Sequence, residues 1–178
     1  HAPARAVPAA RTGRAGGIVS SSHLVSPMAV ELSEFEFGLI VAWNAFSRWA
    51  VRCMAAAGCP DLTITDVLLV HNLCHRAKGK KLADIGFTLN YEDTHVVAYS
   101  LKKLVAAGLA RTEKVGKEVL YSATAQGEAL VQQYRAVRED CLVQSLDTEL
   151  NADIGELARL LRTMSGMYDQ AARAATSL

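Results

Sequence analysis

The stretch that decides the fold runs from 90 to 127 and reads NYEDTHVVAYSLKKLVAAGLARTEKVGKEVLYSATAQG. Its hydrophobic period changes once. From Asn90 to Gly108 the spacing is helical: at roughly 100° per residue, Val97, Leu101, Leu104, Val105 and Gly108 fall on one side. Glu92, His95, Val96, Tyr99, Lys102 and Lys103 fall on the other. Asn90 is the expected N-cap, with Asp93 in the capping-box position. Gly108 is the expected left-handed stop. Beyond it the period drops to that of a strand, and 109–114 and 118–123 read as two strands around a Val115-Gly116 turn. Thr124 then caps another helix.

Working outward, Phe35, Leu39, Ala42, Phe46, Trp49 and Cys53 recur at helical spacing, with Ser33 as the expected cap and Gly58-Cys59-Pro60 as the stop. Thr63 or Thr65, with Asp66, opens a second helix over 67–75. A short third helix covers about 80–87 after the basic run at 76–81. Downstream, Tyr134, Val137, Cys141 and Leu142 carry a fifth helix. Asn151 is the expected cap of a sixth, through Ile154, Leu157, Leu160, Leu161, Met164 and Tyr168. No internal repeat is visible. The fold class is mostly α with a small two- or three-stranded β wing.

Short helix, turn, helix and hairpin is the order of a winged helix-turn-helix. Such a unit needs a helix with one face free for the major groove, cations at its flanks for phosphates, and a rigid support. His95, Val96 and Tyr99 are placed to reach base edges, with Lys102 and Lys103 behind them. Arg76, Lys78, Lys80 and Lys81 precede the third helix, and Arg111, Lys114 and Lys117 lie on or beside the hairpin. Each cation that neutralises a phosphate releases counterions, so a handful supplies non-specific affinity. A formal net charge of +1 conceals this segregation, since Glu31, Glu34, Glu36, Glu139, Asp140, Asp147, Glu149, Asp153 and Glu156 lie in the flanking helices.

At 178 residues the chain is long enough for a substantial core without staples. Its longest apolar runs fall far short of the ~20 residues that cross a bilayer, so no membrane partner is expected. Cys53, Cys59, Cys74 and Cys141 form no CxxC pair, which favours a reducing, cytoplasmic setting beside the nucleoid. Residues 1–30 are rich in Ala, Gly, Ser and Pro, carry Arg5, Arg11 and Arg14, and contain no acid. Most of this stretch reads as a disordered basic head, taken first as an inert tail, with a nucleic-acid arm and an organelle transit peptide as the competing readings. His1 in place of methionine reads as a trimmed start.

Catalytic chemistry finds no constellation here. His71 and His75 share a helical face, but HExxH lacks its glutamate and no further ligand has diagnostic spacing. The cysteines read as structural, although a sensing role for them or for the histidines stays open. Gly13, Gly16 and Gly17 do not follow a strand, and no nucleophile elbow is present. The expectation is a non-enzyme without cofactor or metal.

Leu82-Ala83-Asp84, then the run from Leu101 through Gly108-Leu109-Ala110 to Arg111, resembles the "LA…L(E/K)xxGLxxR" stretch of the MarR family. Ala123-Thr124-Ala125-Gln126-Gly127 resembles its closing "LTxxG", with alanine in place of leucine. The likeness covers about 62–130. The segment between Leu82 and His95 is a few residues longer than the family pattern. The hairpin lacks the family's Asp-x-Arg, for which Lys117 is the nearest substitute. The resemblance implies a homodimeric winged-helix transcription regulator, often a repressor released by a small molecule. Apolar residues in the flanking helices suit a two-fold dimer: Trp43, Phe46, Trp49, Tyr134, Leu157, Leu160, Leu161 and Met164. The expected organisation is a head at 1–30, a dimerisation helix at 31–60, the DNA-binding unit at 61–124 and dimerisation helices at 125–178. The expected partners are double-stranded DNA, a second copy of the chain and a small-molecule effector. The alternative is a winged-helix protein-interaction module without sequence-specific DNA binding.

Overall fold

Thr63 and Asp66 start the central unit with a reciprocal cap. The Thr63 hydroxyl accepts from the Asp66 N–H at 3.3 Å, and an Asp66 carboxylate oxygen accepts from the Thr63 N–H at 2.9 Å. This satisfies donors that the first helical turn leaves unpaired. The computed structural model describes residues 22–76 and 78–178. Its helices are α1 (Leu32–Ala56), α2 (Ile64–Cys74), α3 (Leu82–Thr88), α4 (Thr94–Ala106), α5 (Ala125–Cys141) and α6 (Thr148–Thr176). Strands β1 (Ala110–Val115) and β2 (Glu118–Ala123) lie between α4 and α5.

The chain divides into a unit ending at Arg48 and one beginning at Trp49, with α1 passing through the boundary. In the first, a short 3-10 turn at Ser22–Leu24 and an isolated bridge between Ser26 and Ala29 precede α1. The expectation that most of 1–30 is a disordered head falls, for 1–21, outside the described residues. Trp43 and Phe46 have ring centroids 6.1 Å apart, and both are about half exposed.

In the second unit the core joins Cys53 and Met54 of α1, Val67, Leu69, Val70 and Leu73 of α2, Ile85 of α3, and Val97, Leu101 and Leu104 of α4. Ala50, Leu62, Leu109, Ala110 and Tyr134 complete it. Burying each leucine contributes roughly 1.5–3 kcal/mol, so this cluster holds the three short helices in one arrangement. The apolar stripe expected of α4 is the buried one: Val97, Leu101 and Leu104 are 0% exposed.

The strands pair antiparallel from Ala110↔Ala123 to Val115↔Glu118, with Gly116 in the turn at a φ of 62°. Beside them, the Lys80 backbone exchanges hydrogen bonds with Tyr121 at 2.9 and 2.8 Å, adding a single bridge to the two-stranded wing. Gly108, at a φ of 75°, ends α4 in the left-handed conformation that glycine takes without a steric penalty.

Three expected caps are displaced. Asp93, not Asn90, caps α4: its carboxylate accepts from the His95 N–H at 2.8 Å. Asn90 instead takes a left-handed turn conformation, φ 59°, just after α3. Asp147, not Asn151, caps α6 by accepting from the Leu150 N–H at 2.7 Å. A carboxylate at the earlier or better-aimed position claimed the free donors in both cases. Ser33 lies inside α1 rather than at its cap.

Candidate nucleic-acid interface

Helix α4 presents its second stripe outward. Tyr99 is 76% and Val96 41% exposed, and His95 and Lys102 are also exposed. Between this stripe and the first turn of α2 lies an open cleft of about 520 Å³, lined by Thr63, Thr65, Asp66, His95, Tyr99 and Lys103 among others. A convex helix with one polar, aromatic-bearing stripe, backed by a close-packed core, is the form that enters a major groove.

The expected phosphate contacts divide into two sets. Lys102, Arg111, Lys114 and Lys117 are exposed and enter none of the ion pairs found among the described residues. Arg76 is exposed too, with a left-handed φ of 52° at the end of α2. The other set is occupied within the protein. Lys80 donates through Nζ to the carbonyls of Asn72 and His75, closing the carboxyl end of α2, and burial pushes its pKa down. Lys81 pairs with Glu118 at 2.7 Å.

Lys103 is the clearest departure from the expected picture. The helical wheel set it on the free stripe, but its Nζ lies 2.6 Å from Oδ2 of Asp66 and 2.9 Å from the Asp61 carbonyl. Asp66 is buried, and its Oδ1 accepts from the Ser100 hydroxyl at 2.5 Å. Burial opposes the charge of this carboxylate, but bonds from Lys103, Ser100 and Thr63 together outweigh it and hold its pKa below the usual range. The Thr63-x-x-Asp66 cap was visible in the sequence. The second use of Asp66, across 37 positions, was not.

The residues expected at a dimer surface also separate. Phe46, Leu157, Leu160 and Leu161 are substantially exposed, and Met164 is partly so. Trp49 packs partly against the core. Tyr134 is a correction: it is 7% exposed, its ring meets that of His71 edge-on at 4.4 Å, and its carbonyl accepts from the Cys53 thiol. It is consumed inside the protomer because α5 lays it over α2.

His71 sits in that core contact while His75 is exposed at the C-cap of α2, so the two histidines face different surroundings. Among the described residues no group of three or more His, Cys, Asp or Glu is arranged to hold a metal ion, and no helix is long and apolar enough to cross a membrane.

Residues 62–127 match the family model described as a winged helix DNA-binding domain. No curated protein sequence matches the chain. Among solved structures, AbfR of Staphylococcus epidermidis is 18% identical with a TM-score of 0.63, over 76% of this chain and 92% of that one. Reduced AbfR bound to DNA gives a TM-score of 0.58 at 17% identity, over 75% and 92%. A MarR-family transcriptional regulator from Rhodococcus sp. RHA1 is 16% identical with a TM-score of 0.59, over 75% and 94%. CouR from Rhodococcus jostii RHA1, bound to p-coumaroyl-CoA, is 16% identical with a TM-score of 0.57, over 71% and 88%.

Residues 62–127 thus have the winged helix fold. Over about three quarters of its length the chain shares its fold with AbfR and with the MarR-family regulator from Rhodococcus sp. RHA1.

Proposed function

We propose that this chain is a DNA-binding transcription regulator that works as a homodimer on a two-fold operator. The observation that carries the reading is the split of α4: Tyr99, His95 and Val96 stand outward on a helix that buries Val97, Leu101 and Leu104 on its opposite side. Lys102, Arg111, Lys114 and Lys117 flank it as cations without an ion-pair partner among the described residues. In this reading 61–124 engage DNA, with wing lysines on the phosphates, while 31–60 and 125–178 join two copies.

The dimer reading is supported by α6. Leu150, Ile154, Leu157, Leu161 and Met164 repeat at alternating spacings of four and three, the seam of paired helices, and none of them is buried. Two copies joined there would set two recognition helices about 34 Å apart, one turn of DNA. Repression released by a small effector is the mode we infer, supported by the likeness to CouR, whose structure holds p-coumaroyl-CoA. A cytoplasmic location follows from work on DNA.

Fluorescence anisotropy of the full chain with labelled duplex, across a salt series, tests the reading. We expect salt-dependent binding, with a slope of log affinity against log salt that becomes shallower by about one for each of Lys102→Ala, Lys114→Ala and Lys117→Ala. Absence of duplex binding at low salt, with tight salt-insensitive capture of a protein partner, selects the protein-interaction module instead.

A further inference from the structure

Lys103 stands on the rim of the exposed stripe of α4, and its ammonium bends back along the surface to Asp66 and the Asp61 carbonyl. We propose that Asp66 is a positioning residue for base reading, fixing the rotation of α4 through Ser100 and Lys103, and that Lys103 itself takes no phosphate. This rests on the reading of α4 as the helix that enters DNA.

The core behind α4 is apolar, and apolar contact is non-directional. Val97, Leu101 and Leu104 hold the helix against α2 but tolerate a small roll about its axis. A roll of roughly 20° carries an exposed side-chain tip about 2 Å, enough to break hydrogen bonds to a base edge. The directional restraints come from the first turn of α2. Asp66, with 3% of its side chain exposed, receives Ser100 on Oδ1 at 2.5 Å and Lys103 on Oδ2 at 2.6 Å. Its Oδ2 is itself held by the Thr63 N–H at 2.9 Å. Ser100 and Lys103 lie one turn apart on α4, so two bonds to one carboxylate fix both height and rotation. Lys103 also donates to the Asp61 carbonyl at 2.9 Å, which leaves its ammonium committed on two sides. Tyr99 and His95 line the same cleft as this cluster, so the restraint acts next to the side chains that face outward.

The test uses the full chain and a duplex enriched by it from a random pool, with affinity measured across salt and against the same duplex altered at one half-site position. Ser100→Ala and Lys103→Met are expected to lower discrimination between the two duplexes about tenfold while leaving the salt slope unchanged, and Asp66→Asn to lower discrimination alike while releasing the Lys103 ammonium, so that its slope is no shallower than wild type. Lys103→Arg, which keeps the ion pair, retains discrimination. Lys102→Ala does the reverse, keeping discrimination with a slope shallower by about one. Ser100→Ala leaves the ion pair intact and carries the test if Asp66→Asn unfolds, as circular dichroism at the assay temperature reports. A Lys103→Met protein that behaves like Lys102→Ala overturns the inference, as does wild-type discrimination by Ser100→Ala. Failure of the unmodified chain to enrich or bind any duplex overturns the DNA reading itself, and is recognised because no substitution is involved.

Discussion

A Cβ built on Gly127 would lie 2.2 Å from the carbonyl oxygen of Leu109. The same junction is tied by the Thr124 N–H donating to the Leu109 carbonyl at 3.1 Å and the Thr124 hydroxyl donating to the Gly108 carbonyl at 2.6 Å. Here the end of α4, the first residue before β1 and the start of α5 meet backbone to backbone. No side chain fits. The close approach fixes where the wing leaves α4 and where α5 departs.

Gly127→Ala is therefore expected to destabilise the fold by about 1–3 kcal/mol, since backbone rather than a mobile side chain must give way. At this chain length that lowers Tm by about 2–4 °C per kcal/mol. Thermal unfolding checks it, with Gly38→Ala as the comparison, because a Cβ there meets nothing within 4 Å.

Lys80→Met is expected to lower stability by about 1 kcal/mol, because its ammonium satisfies two carbonyls at the end of α2. Chemical denaturation measures this. The salt slope of DNA binding should stay at its wild-type value, in contrast to Lys114→Ala and Lys117→Ala.

His71 gives a pH signature. Burial, then the positive field of Arg138, hold its pKa below the ordinary 6.5, and its Nε2 is buried without a hydrogen-bond partner. The unfolded chain takes up a proton at 6.5 where the folded protein does not, so stability falls as pH drops through 6.5 and levels off below the folded value. Melting curves at about pH 7.5 and about pH 5.5 should separate for the wild type and converge for His71→Phe. Asp66 acts in a lower window. Its folded pKa lies below 3.8, so its stabilisation is present above 3.8 and is lost as pH falls through the folded value. Asp66→Asn lacks that acid loss.

Leu157→Glu places a charge in the centre of the α6 seam. Sedimentation velocity is expected to show a dimer for the wild type and a monomer for the variant. Affinity for a symmetric duplex should fall tenfold or more, roughly the effect of removing a central interface residue. A dimer unchanged by this substitution removes α6 from the interface.

The fold was legible wherever a change of period met a residue with special backbone needs. Gly108 stood at the switch from helix to strand, and the strand over 109–114 proved to be Ala110–Val115. Thr124 capped α5 as expected. Caps were less legible, because Asn90 and Asp93, or Asp147 and Asn151, compete for the same donors and only the backbone path decides between them. The candidate site was half legible. A helical wheel separates buried from outward positions and so placed His95, Val96 and Tyr99 on the outward side, where they lie. It cannot see that the long side chain of Lys103 bends back to a carboxylate on α2, or that Lys80 curls onto the carbonyls that end α2. Tyr134 misled for a related reason: an aromatic residue on a terminal helix suits a dimer surface and an intrachain core equally well until its neighbour His71 is known.

Selection of duplexes from a random pool by the full-length chain, read for symmetry and for the effect of Tyr99→Ala, tests the central claim most directly. The account predicts enrichment of two inverted half-sites with centres about 10 base pairs apart, and a changed base preference inside each half-site for the variant. A pool that emerges without enrichment, or an enriched site that Tyr99→Ala, His95→Ala and Val96→Ala all leave unchanged, contradicts it.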